Sequence, residues 1–198
     1  MQKIWHYVEN EGYHSGLSEA IRDAAAQFAV KSRGVNRMFR AMRREKQQLS
    51  NREAVRILEQ GKTGILAVIS ENGYPYTVPL NYVYYDGKIY FHSAKSGHKI
   101  DAIRDCEKVS FCVISKDDVI KEKLTTAYES AIVFGRARIL TQDQEIVEAA
   151  KRFSLKYNED EELADREIKN YWNSLCCVEI VIDHLTAKAG LELMGQKE

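Results

Sequence analysis

The sequence predicts a mainly β fold with helices and about six antiparallel strands, and three observations lead there. Six segments have strand periodicity or strand-forming composition: Gly64–Ser70, Thr77–Tyr85, Lys88–Ser93, Lys108–Ser115, Tyr128–Leu140 and Cys176–Ile182. Asn72-Gly73 and Asp86-Gly87 are dipeptides that turn a hairpin through positive φ at low cost. The strand runs are mostly separated by hairpin turns. Strands linked by hairpins cannot leave their apolar faces open, so closure into a small barrel capped by helices answers both the core and the edges. An α+β protein with a mixed sheet fits the same pattern.

In chain order, Met1–Gly34 has little strand character, and Leu17–Val30 reads as an amphipathic helix. Residues 1–38 are therefore expected to form a helical N-terminal arm and residues 39–198 the main domain. Lys31–Lys46 holds seven basic residues against the single acid Glu45, a charge run that a solvated helix face explains. Ser50-Asn51-Arg52-Glu53 is a capping box ahead of the apolar stripe Ala54, Ile57 and Leu58, with Gly61 placed to end that helix in the left-handed conformation. Pro79 lacks a ladder donor and marks an edge, bulge or break in the strand. Asp117–Thr125 reads as a polar connection. Thr141-Gln142-Asp143-Gln144 resembles a second capping box, opening a helix to about Tyr157, and a shorter helix runs toward Trp172.

Twenty-nine basic residues balance 29 acidic ones, so no net field gathers nucleic acid or a membrane surface. No segment has the length of an apolar span or the layout of a signal peptide. Cys106, Cys112, Cys176 and Cys177 form no CxxC, which points to free thiols in a reducing, cytoplasmic setting. The five histidines make no HxH or HExxH pair, and no metal site is expected.

The most informative stretch is Thr77–Arg104, TVPLNYVYYDGKIYFHSAKSGHKIDAIR. Its Ser96-Gly97-His98-Lys99 turn feeds a helix whose first N–H groups lack partners, with Lys99 beside them, an arrangement suited to a phosphate. An ordinary capped helix start has the same appearance. This stretch, with Gly135-Arg136-Ala137-Arg138 further on, resembles the FMN-binding split-barrel family related to pyridoxamine 5'-phosphate oxidase, and within it the nitroimidazole-resistance flavoproteins. The resemblance covers about Phe39–Gly190, and FHSAKSGHK is its most specific part.

The resemblance implies a split β-barrel, bound FMN, and a homodimer with FMN at the subunit interface, to which the tyrosine-rich strands offer suitable contacts. It also assigns residues. Val78, Pro79, Leu80, Asn81 and Tyr82 lie along the flavin, and His92 and Ser93 stand beside the ring and its phosphate arm. Gly97, His98 and Lys99 meet the phosphate. His92 is the candidate catalytic side chain, as proton donor or orienting group. Two departures stand out. Thr77–Tyr82 carries no arginine-rich phosphate pattern of the vitamin B6 oxidases. Thr186-Ala187-Lys188 has alanine where relatives have glycine, which bears on the contact by Lys188.

The function implied is an FMN-dependent oxidoreductase that passes electrons from a reduced donor, NAD(P)H by expectation, to a small acceptor such as a nitroaromatic or quinone. A non-catalytic flavin- or haem-binding carrier or sensor is the alternative from another class, and a pyridoxamine 5'-phosphate oxidase-like activity is a third reading. Bleaching of the flavin by a nicotinamide donor and its reoxidation by an acceptor separate the enzyme from the carrier.

Overall fold

The computed structural model describes residues 39–194, and the account that follows is of the unit that begins at Met42. The expected N-terminal arm, with its candidate helix at Leu17–Val30, lies outside the described residues.

Helix α1 (Asn51–Gln60) starts as its capping box requires. Glu53 N donates to Ser50 Oγ at 3.3 Å, and Ser50 N donates back to the Glu53 carboxylate at 2.9 Å. Its stripe of Ala54, Ile57 and Leu58 is buried, and the two larger side chains each contribute about 1.5–3 kcal/mol by leaving water. Gly61 follows at φ −65°, so it is extended rather than left-handed. Space decides the glycine there: a Cβ would stand 2.5 Å from Val113 Cγ1 and 2.6 Å from the Tyr82 hydroxyl.

Seven strands follow, β1 (Thr63–Ile69), β2 (Pro75–Asn81), β3 (Val83–Tyr85), β4 (Lys88–Ala94), β5 (Lys108–Ile120), β6 (Thr125–Ile139) and β7 (Leu175–Ala189). Helix α2 (His98–Asp105) links β4 to β5, while α3 (Asp143–Tyr157) and α4 (Glu161–Tyr171) link β6 to β7; α5 (Leu191–Met194) ends the described chain. The turn between β3 and β4 has positive φ at Asp86 (49°) and Gly87 (73°), as a two-residue hairpin of this hand needs. All pairings are antiparallel, in the order β2-β1-β5-β6-β7-β4-β3.

That order closes the sheet. Laid flat, the edge strands β2 and β3 would lie roughly 29 Å apart, six inter-strand spacings. Yet only Tyr82 separates them in the chain, and one residue spans about 3.5 Å. The sheet must therefore curl until its edges meet, and the seam between them is the split of a split β-barrel. Leu66, Val68, Ile89, Phe91, Phe111, Val113, Val133, Val178 and Ile180 fill the interior together with α1 and with Ile100 and Ile103 of α2. A second, smaller cluster of Leu140, Ala149, Ala150, Ile168 and Cys177 lies where α3 and α4 cover β4 and β7.

Four further expectations change. Thr77–Tyr85 is two strands, because the break falls at Tyr82; Pro79 sits inside β2, which is an edge strand as proline requires. Asp117–Thr125 is not a simple connection, since β5 runs on to Ile120 and pairs with Thr125–Glu129. That arm is largely exposed, so polar residues on both faces hide the period of two. β7 likewise extends past Ile182 to Ala189, through a register shift near Gly135. Helix α3 starts behind Gln142 with no side-chain cap, so no second capping box forms. The four cysteines are free thiols, two of them buried. Among the described residues no helix is long and apolar enough to cross a membrane.

Candidate functional site

The turn from β4 into α2 leaves polar groups unused. Gly97 adopts φ 122°, ψ 164°, a conformation open in practice to glycine, although a Cβ there would meet nothing within 4 Å. No side chain caps α2. Ile100 N and Asp101 N donate to Gly97 O at 2.9 and 3.1 Å, while the N–H groups of His98 and Lys99 have no partner among the described residues. Ser93 Oγ is buried with no hydrogen-bond partner. Lys99 is half-buried and makes no ion pair among the described residues. Arg104, by contrast, is held by Asp101 and by the carbonyl of Lys95. A buried hydroxyl, two free amides and an unpaired ammonium are the kinds of group that an anion would satisfy.

His98 presents its backbone to this turn, because its ring is engaged elsewhere. The ring stacks on Tyr76 with centroids 4.0 Å apart, and Nε2 lies 2.7 Å from Ser70 Oγ. These contacts fix the start of α2 against β1 and β2, so the candidate wall begins beside the anion turn.

Along that wall the pleat divides the residues. Val78 and Leu80 face the core across from Leu66 and Gly64, leaving their backbone at the surface. Pro79 and Asn81 point outward, and Asn81 Nδ2 donates to Lys62 O at 3.0 Å. Pro79 stands in one cross-strand row with Ile65, Cys112, Ile132 and Thr186, on an outer sheet face that also holds Ala67, Ile69, Ile114 and Phe134. Tyr82 is fully buried at the seam, and its hydroxyl donates to Leu58 O at 2.7 Å.

His92 neighbours Ser93 in sequence but points the other way, toward the helices. Its ring meets Phe153 edge-on, centroids 4.4 Å apart. Desolvation at that contact, and then the Lys99 charge, lower its pKa, so the imidazole is neutral near pH 7 and offers one donor and one acceptor. Beside it, between β4, α3 and α4, lies a cavity of about 450 Å³ with Phe153, Ile168, Tyr171 and Leu175 in its lining. The sequence reading missed these residues. Only the spacing of Ala150 and Phe153 on one face of α3 hinted at them, and a core stripe gives the same spacing.

Lys188 is not brought to this turn. Its strand partner is Ser130, whereas His92 pairs with Cys177, eleven residues back along β7, a path of up to about 35 Å. Lys188 instead lies over the Tyr128 ring at 5.1 Å, next to Arg43 and Arg44. Ala187 before it is a regular strand residue, 2% exposed, so positive φ is not needed there.

Compared with known proteins, residues 50–189 match the model of the pyridoxamine 5'-phosphate oxidase family. No curated protein matches the chain. Among solved structures it is similar to a conserved hypothetical protein from Mycobacterium tuberculosis, at 20% identity and a TM-score of 0.63 over 77% of this chain and 92% of that one. A candidate 5-nitroimidazole antibiotic resistance protein from Bacteroides thetaiotaomicron gives 18% identity and 0.60, covering 72% and 86%. A flavocytochrome from Azotobacter vinelandii gives 18% and 0.62, covering 76% and 72%. At these identities the structural likeness is one of fold.

Proposed function

The chain belongs to the pyridoxamine 5'-phosphate oxidase family, and from that premise we propose that it is an FMN-dependent oxidoreductase that takes electrons from NAD(P)H and delivers them to a small acceptor. The observation that carries this reading is the anion turn. Ser93 Oγ is buried and unpartnered on the strand that leads into the uncapped α2 with its unpaired Lys99, which fits the phosphate end of FMN. Lys99 and the amides of His98 and Lys99 hold the phosphate, and Gly97 lets the backbone approach it. Val78–Tyr82 supply the wall for the ring, through the backbone at Val78 and Leu80 and through side chains at Pro79 and Asn81. When bound, FMN supplies the two-electron chemistry. His92, neutral near pH 7, orients the reacting groups and exchanges a proton through its ring nitrogen. A nitroaromatic acceptor draws support from the resistance protein that shares the fold.

The same reading makes the working unit a homodimer. The outer face around Ile65, Ile114, Ile132 and Phe134 is apolar and open, with Ile114 52% exposed and Ile132 41%. Tyr82, Tyr84 and Tyr90 are occupied within the chain, so this face rather than the tyrosine strands is the contact surface. It includes Pro79 and the Lys188 row, so a second copy seated there covers the ring wall and brings its own Lys188 to the cofactor.

The test is an absorbance spectrum of the purified protein with acid release of the ligand, followed by titration of apo-protein with FMN and with riboflavin. Lys99→Ala is expected to weaken FMN by roughly ten- to a hundredfold, the worth of one charge-assisted hydrogen bond, and to leave riboflavin unchanged. Equal weakening of both ligands would mean general damage, and no change in either would remove Lys99 from the site. Flavin that binds but is neither bleached by NAD(P)H nor reoxidised by an acceptor would turn the reading to a carrier.

A further inference from the structure

Of the residues assigned to the cofactor above, only His92 and Ser93 line the cavity between β4, α3 and α4. It measures about 450 Å³, within the range of small-molecule sites. Its walls are mostly apolar and aromatic: Phe153 and Tyr171 supply ring surface, Ala150, Ile168 and Leu175 supply aliphatic surface, and the neutral ring of His92 stands edge-on to Phe153. The other polar groups are the hydroxyls of Ser93, Ser154, Ser174 and Tyr171 and an exposed carboxylate, Glu167, which accepts a hydrogen bond from Asn170 Nδ2 at 3.2 Å. No lysine or arginine lines it, so it offers an anion nothing. A cation finds only the water-screened Glu167. Flat apolar walls with one imidazole and four hydroxyls select a neutral planar ring that carries a carbonyl or nitro oxygen. The end of β4 borders both places: His92, Ser93 and Ala94 line the cavity, and the chain runs on from Ala94 into the anion turn.

We propose that this cavity binds the small-molecule acceptor, a neutral planar aromatic of one or two rings, with its oxygen on His92. Naming that ligand the acceptor rests on the flavin reading above; its binding in the cavity does not.

Trp172 follows α4 and packs with Ile168 and Leu175, so its fluorescence reports occupancy without turnover. The only other tryptophan is Trp5, and Trp5→Phe leaves a single reporter. In that background, 1,4-naphthoquinone is titrated into FMN-loaded and FMN-free protein with no donor present. Saturable quenching is expected in both, and Ala150→Phe, which fills the cavity, is expected to weaken it at least tenfold while FMN affinity stays within twofold. Should Ala150→Phe not fold by circular dichroism, Ser154→Leu fills the same space from the same helix. Quinone affinity unchanged by the filling variant overturns the proposal. Parallel loss of FMN overturns it too, by giving the cavity to the flavin. If wild type binds no FMN, the flavin reading and the name acceptor fall, and the quinone titration still decides whether the cavity is a site.

Discussion

The hydroxyl of Tyr157 lies 3.1 Å from the backbone N of Tyr82 and 2.8 Å from its O, at the one residue where the barrel's edge strands meet. Tyr82 belongs to neither β2 nor β3, so no ladder satisfies its peptide groups. A side chain from α3 does so instead, and the same hydroxyl reaches Lys62 O at 2.6 Å. The helix thus closes the seam that makes the barrel split.

Tyr157→Phe is expected to destabilise the protein by about 1–3 kcal/mol, the cost of leaving a buried donor and acceptor unmet. Urea unfolding measures it. A change below a few tenths of a kcal/mol would mean that water replaces the hydroxyl and that the seam does not depend on α3.

Gly64 gives a test of the interior. It faces Leu80 across β1 and β2, and a Cβ there would overlap the Phe111 ring, which is fully buried and cannot swing away. Gly64→Ala is expected to cost about 1–3 kcal/mol by overpacking. Phe111→Leu added to it should recover part of that loss, whereas Phe111→Leu alone should destabilise. Additive losses in the double variant would place the strain elsewhere.

Glu179 is 3% exposed and carries three partners, with Lys88 Nζ and Tyr90 Oη at 2.9 Å and Arg138 Nε at 2.8 Å. Burial works against its charge, but the hydrogen bonds from Arg138, Lys88 and Tyr90 outweigh it and hold the carboxyl below its ordinary pKa. Its contribution is therefore complete above the unfolded value near 4.5 and is lost as pH falls through the folded one. Glu179→Gln should cost about 3–5 kcal/mol at pH 7 and flatten the acid limb of the stability curve. An unchanged acid limb would show that other carboxylates set it.

Lys156 gives a prediction of opposite sign. Its ammonium lies 4.0 Å over the Tyr82 ring and donates to Gly61 O at 2.6 Å, and burial pulls its pKa down to about 8. Below pH 8 both folded and unfolded chains hold the proton, and the fold bears the cost of the buried charge. From about 8 toward 10.5 only the unfolded chain holds it, so this residue's contribution rises with pH, by about 1–2 kcal/mol for a half-exposed amine. The Cys176 and Cys177 thiols, raised by burial, push the other way in that window, as do Tyr82 and Tyr90 above pH 10. The quantity to measure is the difference between wild type and Lys156→Met across pH 7–10. A difference that does not change with pH would place the proton loss of Lys156 at its ordinary value.

For the dimer, Ile132→Glu puts a charge in the middle of the open apolar row. Light scattering at micromolar concentration is expected to give a dimer for wild type and a monomer for the variant, with FMN affinity falling alongside. A wild-type monomer that retains FMN would overturn the interface reading.

The sequence by itself determined the local features. Ser50 to Glu53 specified its capping box, Asp86-Gly87 its hairpin, and Ser96 to Lys99 an open helix start, because each depends on residues a few positions apart. The short-range alternation of β4 and β5 marked their buried faces for the same reason. Only the tertiary structure decided what depends on distant partners. Tyr82 breaks a strand because Leu58 and Tyr157 hold it at a seam, and Gly61 is required by Val113 and Tyr82 rather than by its own φ. His92 and Ser93, neighbours in the strand, are sent to opposite faces of β4 by the pleat, with His92 against Phe153 of α3. Lys188 stands far from the anion turn because β7 runs the whole height of the barrel, and no local pattern encodes how long a strand continues once both its faces are covered.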